Sequence, residues 1–458
     1  MNRNTISPIV LDELGVQAQV PAARVDSKWH VLLATWLGEL FDGMDASIFV
    51  LVMFPAVSEL LGTKSHSTVG QFASYILAIF MVGWAVGAVV FGLLADRIGR
   101  TKTMIITILL YACSTGLCAL SHNWWELAGY RFLVGCGIGG EISIGAVMVS
   151  EYWRGNGRLH AAGVLTSSFG CGYLIAALLN FWLGTIGWRY LFIAGVAPAL
   201  VTLYIRSSLH EPEHFTLVQE LRTRLKKVNR EELNGAQKNL LKNPLFELFS
   251  PQYRSRVLLV MALASAAIVG YWAVLAWIPA WINQLTGTAA VAERSQTAVV
   301  MNLGAIIGSL AGGWVMTKLN TRTAFFFAFL GSLLACVGMF MTVKCFGPIL
   351  LAWVFCAGAF VLLPFVFLFI YVPELFPVNI RSTAFGLSVQ VGRIAAACAS
   401  LAAGQIIANF NGSYAIAGSS VAMIYVVGML AALFLPKSSG QVESGVNLNE
   451  LCQTTSAS

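Results

Sequence analysis

Trp36-Leu-Gly-Glu39-Leu-Phe-Asp42-Gly-Met-Asp45-Ala-Ser-Ile-Phe-Val50-Leu-Val-Met-Phe54 is apolar enough to cross a bilayer as a helix, yet it carries three carboxylates. They are spaced three residues apart, which keeps all three within about 120° of one helix face. A charge near the middle of the hydrocarbon costs at least ~2.5 kcal/mol. Such a stripe persists only if it faces a wet cavity, pairs with cations or takes up protons. The segment reads as part of a protein that moves something across a membrane.

The rest of the chain agrees. Of 458 residues, 57% are hydrophobic and 11% charged, against roughly 25% charged in soluble proteins, which excludes an ordinary soluble enzyme. Twelve apolar runs are expected to span, each near the ~20 residues a bilayer requires: 30–54, 70–95, 103–121, 124–150, 158–183, 187–207, 256–284, 295–317, 323–343, 347–371, 383–409 and 413–436. This divides the chain into a tail (1–29), a six-helix half (30–207), a linker (208–255), a second six-helix half (256–436) and a second tail (437–458).

The first 29 residues mix Asp12, Glu13, Arg24, Asp26 and Lys28 without the apolar core of a signal peptide, and read as a cytoplasmic tail. The net charge of +7 is topological. Of 28 Lys and Arg, 22 fall on one side if the N-terminus is inside. The positive-inside rule then puts both termini in the cytoplasm of a multi-pass protein of the cell inner (plasma) membrane. Its partners are lipid, a small-molecule substrate and protons, with no nucleic acid, and it is expected to work as a monomer. Seven of nine cysteines sit in apolar runs as small hydrophobes, so no disulfide framework is expected.

The 208–255 stretch includes Glu220-Leu-Arg-Thr-Arg-Leu-Lys-Lys-Val-Asn-Arg230. It reads either as an amphipathic helix against the cytoplasmic face or as a solvated linker. The halves around it are related. Gly83, Gly87 and Gly92 recur as Gly304, Gly308 and Gly313, shifted by 221; Glu151, Arg158 and Gly163 recur as Glu374, Arg381 and Gly386, shifted by 223. Repeats of this kind build transporters whose substrate site lies between the halves at mid-membrane.

Gly92-Leu-Leu-Ala-Asp96-Arg97-Ile-Gly99-Arg100-Thr-Lys102 resembles the signature loop of the major facilitator superfamily. Its second-half copy, Gly313-Trp-Val-Met-Thr317-Lys318-Leu-Asn320-Thr-Arg322, has lost the acid. Arg131-Phe-Leu-Val-Gly135-Cys-Gly137-Ile-Gly139-Gly140-Glu141 and Pro373-Glu374-Leu-Phe-Pro377-Val-Asn-Ile-Arg381 extend the likeness. It implies an all-α membrane fold of twelve helices in two pseudo-symmetric halves. Asp42-Gly-Met-Asp45, Arg131 with Glu151, and Arg381 with Arg393 resemble the aromatic-acid/proton symporters and the neighbouring sialate and monocarboxylate symporters, where the matching acids and arginines are required. The aromatic-acid family's second-half histidine has no counterpart, since the last His is His214.

Within the spans stand Glu39, Asp42, Asp45 and Glu141 against Arg131 and Arg393, so at most two acids pair one-to-one. The remainder are expected to take up protons or to brace neighbouring helices. Asp42, Asp45, Glu39 and Arg131 are the proton-coupling candidates. Arg393 lies about 18 Å along its helix from Arg381 and needs an anion at all times, either a protein carboxylate or the substrate's. With it, Trp272, Trp277 and Gln390 are the substrate-binding candidates, although a Trp-rich stretch also suits an interfacial belt, as Trp124-Trp125 does. Ser167, Ser168, Asn180 and Asn302 face either the cavity or a neighbouring helix. Asp96, Arg97, Arg100, Glu151, Arg158, Glu374 and Arg381 fall at cytoplasmic helix ends and are expected to gate.

No nucleophile–base constellation, phosphate loop or metal-ligand cluster occurs, so neither enzyme activity nor a cofactor or metal is expected. The leading expectation is proton-coupled uptake of a small organic anion, an aromatic acid or other monocarboxylate, by alternating access. The alternatives are a sugar-like or cationic metabolite coupled to H+ or Na+, and a non-transporting sensor.

Overall fold

The computed structural model describes residues 26–153, 155–184, 186–196, 209–211, 213–225, 227, 241, 244–274, 278–286, 291–410 and 413–435. Every regular element among them is a helix. Hydrocarbon imposes this, because a spanning segment must satisfy its backbone groups within itself. The first half comprises α1 (Lys28–Leu61), α2 (His66–Ile98), α3 (Arg100–Cys118), α4 (Trp124–Tyr152), α5 (Asn156–Leu183) and α6 (188–196). Between the halves stand α7 (Glu213–Leu225) and α8 (Pro244–Leu248). The second half begins with α9 (Arg254–Val269), which continues as a π-turn (Gly270–Val274), and α10 (Ile278–Thr286). It proceeds through α11 (Val291–Lys318), α12 (Thr321–Thr342), α13 (Pro348–Leu375), α14 (Arg381–Gln390), α15 (Gly392–Asn409), α16 (Tyr414–Ala422) and α17 (Ile424–Leu433).

Eleven described stretches are long and apolar enough to cross a membrane. They coincide with eleven of the twelve expected runs. The sixth, 187–207, is described only over 187–196; residues 1–25 and 437–458 of the expected tails, and 208, 212, 226, 228–240, 242 and 243 of the linker, lie outside the described residues.

Three runs expected to be continuous are interrupted. The seventh turns π at Gly270, where a Cβ would sit 2.6 Å from the Tyr425 hydroxyl. The eleventh parts at Val391, whose carbonyl accepts the Ile394 N–H three residues on, and Gly392 lets the chain approach Ser265 of α9. The twelfth parts at Met423, whose N–H turns to the Ser420 carbonyl. Each substitutes a tighter or wider turn for the regular i→i−4 bond.

The sequence repeat is also a repeat of contacts. Gly83 and Gly87 press α2 against the Phe132 and Cys136 carbonyls of α4. Gly304 and Gly308 press α11 against the Phe355 and Ala359 carbonyls of α13 in the same way, and those partners are themselves 223 apart. Between the halves, Gly92 meets Ser382 at the foot of α14, and Gly313 meets Leu159 at the foot of α5. Small residues allow such approach where no hydrophobic force acts between helices. Outward-facing Leu178, Trp182, Ile186 and Ile193 are exposed, as lipid contact requires.

Overpacking this seam is expected to destabilise it. Gly87→Ala and Gly308→Ala each drive a methyl into a facing carbonyl, at a cost of about 1–3 kcal/mol. Gly129→Ala, with nothing within 4 Å, is neutral. Thermal unfolding of detergent-purified protein checks this, and equal midpoints for all three variants would contradict the glycine seam.

Candidate transport site and gate

Asp45 lies in the acid stripe of α1 and is 1% exposed. Its Oδ2 pairs with Arg131 NH1 of α4 at 2.8 Å, and its Oδ1 accepts the Thr115 hydroxyl of α3 at 2.8 Å. The Arg131 guanidinium is walled by the rings of Phe49 (4.8 Å), Phe80 (4.6 Å) and Phe192 (5.8 Å). Charge, hydrogen bond and π-faces together compensate a cation that is fully buried. Asp42, Glu39 and Glu141 are buried too. Glu39 Oε2 accepts from Ser168 of α5 at 3.5 Å. Three acids and one ion pair thus stand on the facing sides of α1 and α4.

Arg393 belongs to the other half and has a different environment. Its NH1 donates to Gln390 Oε1 at 2.5 Å, and its guanidinium lies over the Trp84 ring of α2 at 3.8 Å. Among the described residues no carboxylate comes within ion-pairing distance of it. Around the pair stand Trp272 (6.3 Å from Trp84, edge to face), Phe169 (6.4 Å) and, beyond them, Tyr173, Tyr271 and Phe365. Tyr173 and Tyr271 lie within electrostatic range of Arg393. The site is therefore an aromatic chamber between the halves with one cation in it. Trp272 faces its interior rather than an outer belt, whereas Trp125 is 60% exposed. Trp277 lies outside the described residues.

Sequence reasoning missed Trp84, Phe80, Tyr173 and Thr115. Trp84 had a signal, because it sits beside Gly83 with Phe80 one turn earlier on a helix whose glycines already marked close packing. Asn302 donates to the Ala298 carbonyl of its own helix, and Ser167 accepts from Trp36 Nε1 of α1.

The gating candidates gather at the basic end of the bundle. Asp96 of α2 is fully buried and accepts the backbone N–H of Ser382 (3.3 Å) and Thr383 (2.8 Å), and the Thr383 hydroxyl (2.7 Å). It therefore caps α14 from across the half boundary, where a carboxylate meets the positive end of the helix dipole. Arg100 pairs with Asp96 (3.2 Å) and donates to the Val378 carbonyl (2.8 Å). Glu151 receives both Arg100 (3.5 Å) and Arg381 (3.4 Å). Arg158 pairs with Glu374. The two cross-pairs are reciprocal, since each half gives its acid to the other's arginine. The Arg97 side chain is exposed, and its carbonyl accepts from Gln219.

α7 lies against this cluster. Arg222 donates to the Asp96 carbonyl at 2.9 Å and the Asn379 carbonyl at 3.2 Å, one in each half. Burial lowers the Arg222 pKa from the usual arginine value, with the Asp96 carboxylate opposing the shift. Phe215 packs on the Arg100 guanidinium at 4.5 Å.

Comparison with known proteins identifies this architecture. The Major Facilitator Superfamily model matches residues 35–400. The chain belongs to the Major Facilitator Superfamily. Within it, the chain is 30% identical over 420 residues to a putative metabolite transport protein of Haemophilus influenzae, covering 90% of this chain and 97% of that one. It is 25% identical over 444 residues to the niacin transporter NiaP of Acinetobacter baylyi (93% and 97% covered). Against the benzoate transport protein of Acinetobacter baylyi it is 25% identical over 392 residues (80% and 81%). The structure of the proton:xylose symporter XylE bound to 6-bromo-6-deoxy-D-glucose superimposes with a TM-score of 0.73 at 20% identity, covering 93% and 98%. This facilitator is a multi-pass secondary transporter of a small metabolite and not an enzyme.

Charge reversal tests the facilitator's gate. Arg158→Glu alone is expected to raise the labelling of cysteines introduced at the basic end, and Arg158→Glu with Glu374→Arg to restore it. Because that pair is partly exposed, the effect stays near 1 kcal/mol. Asp96→Asn, which weakens a buried cap, shifts accessibility more. Labelling unchanged in both single variants would exclude the cluster as a gate.

Proposed function

We propose that the protein takes up a small organic monocarboxylate, with an aromatic acid as the best fit, together with protons, by alternating access. On this reading both termini are cytoplasmic and the basic end faces the cytoplasm. The single observation carrying it is Arg393, a fixed cation in an aromatic chamber with no carboxylate partner among the described residues. A guanidinium keeps its proton, so the charge that completes this site has to arrive and leave. A carboxylate meets the guanidinium fork, while Trp84, Trp272 and Phe169 offer faces and edges to a flat apolar body. Names among the relatives, niacin and benzoate transporters included, support the same substrate class.

Asp45 with Arg131 is the proton site on this reading. Protonating Asp45 cancels the charge that holds Arg131, and Thr115 then bonds a neutral carboxyl. Glu39, Asp42 and Glu141 offer further buried carboxyls along α1 and α4. The cycle follows from electrostatic balance. With substrate bound, Arg393 is neutralised by the incoming anion and the acids hold their protons; without it, one acid must ionise before the interior can close. One monoanion then moves with one proton, and transport is electroneutral.

Uptake of labelled benzoate and nicotinate into proteoliposomes tests this. A pH gradient is expected to drive accumulation, a sodium gradient not, and a clamped membrane potential to leave the rate unchanged. Asp45→Asn abolishes accumulation against a gradient. Arg393→Ala weakens carboxylate binding by about 2–5 kcal/mol, thirtyfold or more, while affinity for benzamide or nicotinamide changes little, and Arg393→Lys recovers only part. Equal binding of acid and amide by the parent protein would end the organic-anion reading.

A further inference from the structure

Arg131 and Arg393, the two buried arginines away from the basic end, belong to different halves, yet both rest on neighbouring rings of one helix. Arg131 lies over Phe80 at 4.6 Å, and Arg393 lies over Trp84 at 3.8 Å. Phe80 and Trp84 are one turn apart on α2 and meet edge to face at 5.4 Å. We infer that Phe80 and Trp84 form an aromatic bridge through which the state of the Asp45–Arg131 pair sets the position of Arg393. They act as positioning residues that couple the proton site to the substrate site. The inference rests on the proposed function, in which Asp45 carries the proton and Arg393 reads the carboxylate.

Packing around the bridge supports it. Phe80 and Trp84 are both almost completely buried. Behind them α4 is a bare glycine surface: a Cβ at Gly135 would lie 2.9 Å from the Trp84 nitrogen, and one at Gly139 would lie 2.9 Å from Trp84 Cδ1. The rings therefore have little slack, and a dense interior transmits displacement instead of absorbing it. Of the three rings around Arg131, Phe80 is the one that also touches Trp84; Phe192 stacks with Trp188 instead.

Several elements present groups to the Asp45–Arg131 pair. Arg131 comes from α4, Thr115 and Cys118 from α3, and Phe192 from α6; Asp42 and Glu39 follow on α1 itself. Tyr173 of α5 lies within electrostatic range of both arginines and is the other group common to the two sites. When Asp45 is ionised, Arg131 is held between its carboxylate and the Phe80 face. When Asp45 binds a proton, that hold weakens, Arg131 resettles on Phe80, and the Phe80 edge shifts under Trp84. Arg393, lying flat on the Trp84 face, follows. By linkage the effect is reciprocal, so a carboxylate drawing Arg393 off Trp84 alters proton affinity at Asp45.

Equilibrium binding of labelled benzoate and nicotinate to the full-length protein in nanodiscs, at mildly acid and mildly alkaline pH, tests the bridge. The parent is expected to bind roughly tenfold more tightly at acid pH, within the usual range of coupling between sites. Phe80→Leu, which touches no group of the substrate chamber except Trp84, should bring this ratio to nearly one and keep selectivity for acid over amide. Phe192→Leu removes a ring from Arg131 without breaking the bridge and should keep most of the ratio. Trp84→Phe provides a second route if Phe80→Leu does not fold: it retains an edge for Phe80 but a smaller face for Arg393, so affinity and ratio both fall. A Phe80→Leu or Trp84→Phe protein with the full parental pH ratio overturns the bridge and leaves the proposed function standing. A parent that binds neither probe, or binds them equally at both pH values, removes the reading on which the bridge rests.

Discussion

A guanidinium inside a membrane protein cannot discard its proton, and this constraint organises the interior. Arg131 and Arg393 are both buried and need negative charge or π-density close by. The first half supplies Arg131 with the Asp45 carboxylate and three phenyl rings. Arg393 receives an amide oxygen and one indole face. Desolvating a charge costs several kcal/mol even after relaxation, and an amide with a ring recovers only part of it. On the proposed reading this imbalance in charge makes the second site a place for an anion, and the first, which already holds a carboxylate, a place for a proton.

The same asymmetry is laid on a symmetric frame at the basic end. The reciprocal Glu151–Arg381 and Arg158–Glu374 pairs obey the pseudo-two-fold, as do the glycine contacts of α2 with α4 and of α11 with α13. Asp96 does not. Its counterpart Thr317 bonds the Trp314 carbonyl of its own helix, so only one of the two seams between the halves carries a buried carboxylate cap. Partly exposed ion pairs contribute little each, while a buried cap carrying three hydrogen bonds is costly to break. If this end of the bundle gates, as proposed, the α2–α14 seam is the costlier of the two to open. Arg222 adds a tie from the linker to this dominant seam, bonding one carbonyl on each side.

Most of this frame was legible in the sequence because hydrocarbon leaves few options. Runs of about 20 apolar residues become helices, small residues at fixed offsets become seams, and charges inside the runs become sites. The reciprocal pairing of Glu151 and Arg158 with their repeats was visible as an offset of 223. What stayed hidden depended on direction around a helix. Trp84 and Tyr173 look like any aromatic residue in an apolar run, and only the packing of α2 and α5 against their neighbours shows which way they turn. The breaks at Val391 and Met423 were illegible for another reason: neither contains proline, and the first adjoins the close approach of Gly392 to Ser265 of α9.

Gate and site meet on one pair of helices. Running up α2 from the basic end, Asp96 meets Ser382 and Thr383, Gly92 meets Ser382, Ala88 meets Gly386, and Trp84 meets Arg393. α14 is only ten residues long, about 15 Å at 1.5 Å per residue. Asp96 holds one end of this rod, and Arg393 begins the helix just past the other end. A helix that short bends little along its length, so on the proposed reading the force that seats an anion on Arg393 reaches the contact that Asp96 caps. Opening the gate while the chamber holds an unbalanced charge would strain both ends of the rod together. Filling the site relaxes one end and leaves the cap alone to resist. Alternating access as proposed then needs no signal routed through the fold between site and gate, because they would be the two ends of the same seam.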